Sequence, residues 1–171
     1  ALCKGKLGDL GGNRCCVCDR DLSKLEMKYV QTGQCSDCMR WESSPYGGML
    51  ERNWSLHPYD AYMKELLALF KYRGDVKIAE AFGSGIAKLS KVVPHDLIVP
   101  IPLSGERLME RGFNQSEMLL QAAGLTGCGL LERGHSEKQS KKDRAGRLKY
   151  EQVFRCVDQA GTEGKHILLM D

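Results

Sequence analysis

Two Cys-x-x-Cys pairs, Cys15/Cys18 and Cys35/Cys38, stand sixteen residues apart and constrain this chain more than any other feature. Each pair presents two thiolates to one ion at about 2.3 Å, and the stretch between them is long enough to turn back and close a tetrahedron. Cys16 competes with Cys15 as a ligand on paper, but one residue between Cys16 and Cys18 is too tight a turn, so Cys15 is preferred. The segments around both pairs, 14–20 and 33–40, are short, polar and without helical periodicity, while 27–31 reads as a hairpin arm before Gly33. These signals predict a small zinc ribbon over 12–45, within a first domain of 1–45.

The alternative use of these residues, two disulfides, requires an oxidising compartment. No such compartment is signalled. The first residues, Ala1-Leu-Cys-Lys-Gly-Lys6, lack the apolar run of a secretory signal, and no stretch approaches the length of a membrane span. The expected location is therefore the cytoplasm, with Cys3, Cys128 and Cys156 as isolated thiols or small apolar side chains. With four thiolates filling its shell, the zinc is expected to be structural and to supply much of the folding free energy of its module.

Residues 42–48, rich in small and turn residues, mark the joint, and 46–56 is expected to be a linker. From 57 to 171 the chain has the length of one ordinary domain. Asp60 is placed to cap a helix with Met63, Leu66, Leu67 and Phe70 on one face, stopping at Gly74. A second helix carries Ile78, Ala79, Phe82, Ile86 and Leu89, and a third begins near Asn114 and stops at Gly124. The runs 96–102 and 166–170 are continuously apolar, as in strands covered on both faces. Helices alternating with such strands predict an α/β domain with a largely parallel sheet and helices on both faces.

Ligands of such sheets sit beyond the carboxyl ends of strands. The loop after the first strand offers Ser104 and Gly105 N–H groups to a phosphate, with Arg107 and Arg111 nearby. Glu106 and Glu110 share that segment, so a solvated helical face laced with ion pairs explains the same residues. Residues 133–149 hold seven cations, among them Lys138, Lys141, Lys142, Arg144 and Arg147, against two carboxylates. That surplus of five suits a basic loop on a polyanion, or a plain solvated loop. Net charge is only +3, so any such contact is local.

The cysteine pairs, Phe70–Asp75 (FKYRGD), Asp96–Pro102 (DLIVPIP), Arg111–Gln115 (RGFNQ) and Gln139-Ser140 occur in one order over nearly the whole chain, and together they resemble the ComF family. The resemblance implies a type I phosphoribosyltransferase-like fold, incomplete here at its C-terminal end, behind an N-terminal zinc ribbon. It also implies an accessory role in natural transformation, handling incoming single-stranded DNA beside a competence helicase and other DNA-uptake proteins. On that reading Lys71, Arg73, Arg111 and the basic loop contact strand phosphates. In such folds the loop at Leu103, Ser104 and Gly105, with Arg107, takes the pyrophosphate of phosphoribosyl pyrophosphate (PRPP) and its magnesium, and Asp171 belongs to the acidic motif after the last strand. Two alternatives remain open: an active phosphoribosyltransferase acting on a nucleobase or amine, and a zinc-ribbon adaptor that docks a helicase.

Overall fold

The computed structural model describes residues 7–134 and 153–171, which divide into two compact units meeting in sequence at Lys64 and Glu65. Each is built around its own core.

The first unit is organised by its cysteines. A tight turn follows Cys15, with Asp19 at φ 62° and an isolated bridge between Arg14 and Asp21. Strands β1 (Val30–Gln31) and β2 (Gln34–Cys35) pair antiparallel in the register Val30 to Cys35 and Gln31 to Gln34. Thr32 and Gly33, at φ 49° and 77°, make the two-residue loop, and positive φ at both positions is what a tight hairpin with right-handed twist demands. Two expectations are corrected. Met27–Tyr29 forms a 3₁₀ turn rather than a hairpin arm, and the second cysteine pair opens a helix, α1 (Ser36–Glu42), where no helical periodicity was read. Seven residues are too few for apolar periodicity to register, and α1 buries chiefly Cys38. The segment 53–55 is tied to the first turn: Asn53 N–H donates to the Val17 carbonyl at 2.7 Å and Ser55 N–H to the Asp19 carboxylate at 2.9 Å.

Helix α2 (Ala61–Tyr72) starts where Asp60 accepts from the Met63 N–H at 2.8 Å, and Gly74 at φ 69° terminates the turn beyond it. In the second unit α3 (Ala79–Val92) buries Ala79, Phe82, Gly83 and Ile86 and packs on α5 (Gln115–Ala122). Asn114 caps α5 by accepting from the Ser116 N–H at 3.0 Å. A short helix, α4 (Gly105–Arg111), closes on the left-handed Gly112. Strand β3 (Leu97–Pro100) buries the consecutive residues Ile98 and Val99, so both of its faces are covered. It pairs in parallel with β6 (Ile167–Met170), while β4 (Leu131–Arg133) and β5 (Phe154–Cys156) form a separate antiparallel hairpin.

The architecture is thus mixed α/β with a parallel strand pair. It departs from expectation at β6: Ile167 and Leu169 are 40% and 54% exposed, so one face of that strand is open. The apolar run of 166–170 signals a strand but does not report that only one of its edges is paired among the described residues.

Gly83 sits where α3 crosses α5 so closely that a Cβ there would collide with the carbonyl oxygen of Ala122. Backbone cannot yield as a flexible side chain does. Gly83→Ala should cost about 1–3 kcal/mol, seen as a lower urea midpoint. An unchanged midpoint would mean that the helices separate freely.

Candidate metal centre and basic cleft

The Sγ atoms of Cys15, Cys18, Cys35 and Cys38 all lie within 4.8 Å of one another. Cys15 and Cys38 are 3.8 Å apart, and Cys18 and Cys35 are 3.7 Å apart. A tetrahedron with metal–sulfur bonds of about 2.3 Å has edges of about 3.8 Å, so the donor set and its spacing fit zinc. Cys15 and Cys35 are fully buried, whereas Cys16 is exposed and outside the cluster, as the turn argument required.

The surroundings explain the cluster's electrostatics. Burial works against a thiolate at Cys15, but backbone N–H groups of Cys18, Cys35 and Val17 outweigh it and lower its pKa to about 6. One of these, the Cys35 N–H, donates to the Cys15 sulfur at 3.4 Å. Burial and the neighbouring thiols push Cys38 upward, and burial raises Cys18, so with no ion one thiolate is favoured and its partners resist a second charge. A divalent cation removes that conflict.

Asp19, only 7% exposed, holds the first turn from within. It accepts from Arg14 Nε at 3.0 Å and from the Ser55 N–H. The sequence reading did not single it out. Asp tolerates left-handed backbone better than most residues, and Cys-x-x-Cys-Asp was the available signal.

In the second unit a cleft of about 320 Å³ opens between the end of α2 and α4. Lys71, Tyr72 and Arg73 line one wall, and Arg107, Glu110 and Arg111 the other. The structure therefore brings together Lys71, Arg73, Arg107 and Arg111, four cations named from the sequence, around one carboxylate. The ion-pair alternative accounts for part of this: Arg107 Nε lies 3.7 Å from Glu110, and no described residue pairs with Lys71 or Arg73. Arg111 is held rigidly. Its Nη1 donates to Gln115 Oε1 at 2.6 Å and its guanidinium lies 5.6 Å from the Tyr72 ring centre. Its Nε is buried without a hydrogen-bond partner among the described residues, and burial, then the Arg107 charge, depress its pKa. Glu110 was foreseen only as an ion-pair partner on a solvated helical face, and Tyr72 was not foreseen, although it sits between two residues that were.

Leu103, Ser104 and Gly105 lie just past β3. The Ser104 hydroxyl accepts from the Arg107 N–H at 3.3 Å and so caps α4, and Gly105 faces open space. Because β3 and β6 are parallel and Pro100 aligns with Met170, Asp171 leaves the same sheet edge as this loop. Lys138, Lys141, Lys142, Arg144 and Arg147 lie outside the described residues; on either side of them Arg133 pairs with Phe154 across β4 and β5. No helix among the described residues is long and apolar enough to cross a membrane.

No family model matches this sequence, and no solved structure matches it. Among curated proteins, competence protein ComFC of Bacillus subtilis is 39% identical over 173 residues, spanning 99% of this chain and 69% of the relative. Competence protein ComFC of Streptococcus pneumoniae is 31% identical over 164 residues, spanning 92% of this chain and 73% of its own. At that identity across nearly its full length, the chain belongs to the ComFC family of competence proteins.

Proposed function

We propose that this chain serves natural transformation by handling incoming single-stranded DNA on the cytoplasmic side, with the basic cleft as a contact for strand phosphates. The single observation that carries this reading is the convergence of Lys71, Arg73, Arg107 and Arg111 on one cleft with a lone carboxylate among them. Cations sharing one cleft repel one another, and the one described carboxylate among them does not offset four, so the arrangement is stabilised by an anion. The basic segment 133–149 would extend the contact along the strand, and the relatives' name supports the biological setting. A competence helicase and other uptake proteins are the partners this role calls for.

Counterions released from phosphates make such binding steeply salt-dependent. Anisotropy of a fluorescent oligothymidylate should show affinity falling by about fiftyfold between 50 and 200 mM salt, because about four phosphate contacts give a slope near −3 on logarithmic axes. Binding indifferent to salt would refute a phosphate-led contact.

A second reading is favoured by the shared sheet edge of Leu103–Gly105 and Asp171. Within a phosphoribosyltransferase-like domain that edge would accept PRPP as substrate, its pyrophosphate on the Ser104–Gly105 loop and Arg107, its magnesium near Asp171. The protein's share of the chemistry would be positioning and charge, with the acceptor a nucleobase or amine. Consumption of PRPP with candidate acceptors is its test; no turnover with any acceptor would reject the enzyme and leave binding alone. Docking of a helicase on the zinc unit is the third role, and it would be lost with the metal.

A further inference from the structure

The basic cleft is small. At about 320 Å³ it lies at the lower end of sites that take one small molecule, whereas sites for a single strand run along about four or more nucleotides. Its walls come from two short stretches, the end of α2 and one face of α4, so it is a pocket for one nucleotide rather than a track for many.

Its charge is correspondingly dense. Among the described lining residues four cations accompany one carboxylate, Glu110, a local surplus of three. An internal phosphodiester brings one negative charge, but a phosphomonoester carries about 1.5 to 2 at pH 7 and three strong acceptor oxygens. Arg111 is prepared for that shape. Gln115 occupies Nη1, which leaves the Nε–Nη2 edge, the edge that holds a phosphate side-on through two parallel N–H groups. Nε has no hydrogen-bond partner among the described residues, so it stands as an unsatisfied buried donor that such a ligand would satisfy. Nε is also closed to water, so its engagement needs a neighbouring side chain to give way, and Tyr72, 70% exposed, has that freedom. The same exposed ring at the rim offers a stacking face for the base beside the phosphate.

We propose that the cleft between α2 and α4 selects a nucleotide phosphomonoester, either the phosphorylated end of a DNA strand or a free mononucleotide, over internal phosphodiesters. Arg111 grips the phosphate, Lys71 and Arg73 supply the balancing charge, and Tyr72 stacks the base. This rests on the reading of the cleft as a nucleic-acid phosphate site and narrows it to strand ends.

The test is anisotropy of the full chain with labelled oligothymidylates of one length, ending in a hydroxyl or in a 5′- or 3′-phosphate. Thymidine monophosphate and inorganic phosphate serve as competitors. A phosphorylated end should bind about tenfold more tightly than the hydroxyl end, as one charge-assisted bidentate contact implies. Competition by thymidine monophosphate would identify the free nucleotide as a second source of the same ligand, and competition by phosphorylated strands alone would confine the site to ends. Arg73→Glu, a change at an exposed position that does not threaten folding, should erase the preference, and Arg111→Lys should weaken it by keeping the charge but losing the Nε–Nη2 edge. Equal binding of all ends that is still lost in Arg73→Glu would overturn the end selectivity while leaving strand binding at the cleft intact. Absence of binding by any strand would overturn both.

Discussion

Serine in place of Cys35 is expected to abolish zinc binding and unfold the unit that ends at Lys64, while the unit from Glu65 onward stays folded. The magnitude follows from what the first unit lacks. Besides three of its cysteines, Leu22 is the one fully buried residue in the cluster, with Val17, Leu25 and Val30 only partly covered. A core this small cannot offset the ordering of its chain, whereas structural zinc in small modules contributes an apparent 10–16 kcal/mol or so at neutral pH. The readout is selective, because both tryptophans of the chain, Trp41 and Trp54, lie in this unit. Zinc should fall from one ion per chain to nearly none, with the tryptophan emission shifting to the red. Cys16→Ser, exposed and outside the cluster, should change neither quantity. Acidification should release the metal in the same direction, since each thiolate must take up a proton. Full zinc content in Cys35→Ser would refute the ligand assignment.

Why this part of the molecule could be read from its sequence is a matter of chemistry. A metal imposes its ligand spacing on the chain whatever the backbone between does, so Cys15, Cys18, Cys35 and Cys38 were identifiable while the elements carrying them were not. The short helix α1 and the 3₁₀ turn at Met27–Tyr29 are held by cysteine ligation and by turns of a few residues, neither of which leaves a period in the hydrophobic pattern. Asp19 escaped notice for a related reason: its role depends on Arg14 and on Ser55, which is 36 positions away.

In the second unit the long elements were legible because burial repeats along them. Asp60, Gly74, Asn114 and Gly124 punctuate α2 and α5 where capping chemistry says they should. The cleft was legible only as a list. Lys71 and Arg73 lie more than thirty positions before Arg107 and Arg111, and nothing in the spacing of charges says that a helix end and a separate short helix share a cavity. Local pattern alone makes Arg107 and Glu110 a helical ion pair, and tertiary packing decides that the pair lines a pocket. Lys138 through Arg147 illustrate the converse, a strong compositional signal that falls outside the described residues.

The residue on which that packing turns is Phe70. It is 1% exposed, precedes Lys71, Tyr72 and Arg73 directly, and packs on Phe113 with ring centres 5.5 Å apart. Phe113 follows Arg111 by two positions and adjoins Asn114, whose amide donates to the Ile101 carbonyl at 3.2 Å and so ties this stretch to the end of β3. The two rings therefore clamp both walls of the cleft to each other and to the sheet. Phe70→Ala should remove about 3–5 kcal/mol of stability, the cost of truncating a buried phenyl whose cavity cannot collapse, and lower the urea midpoint accordingly. It should also weaken binding of phosphorylated oligonucleotide at temperatures where the variant is still folded, although residue 70 carries no charge and touches no ligand. Phe70→Leu, which keeps most of the apolar volume, should cost about 1.5 kcal/mol or less and retain most of the affinity. If folded Phe70→Ala binds as tightly as the parent, the walls hold their positions without the aromatic clamp. The cations then owe their convergence to α4 and the Arg111–Gln115 hydrogen bond instead.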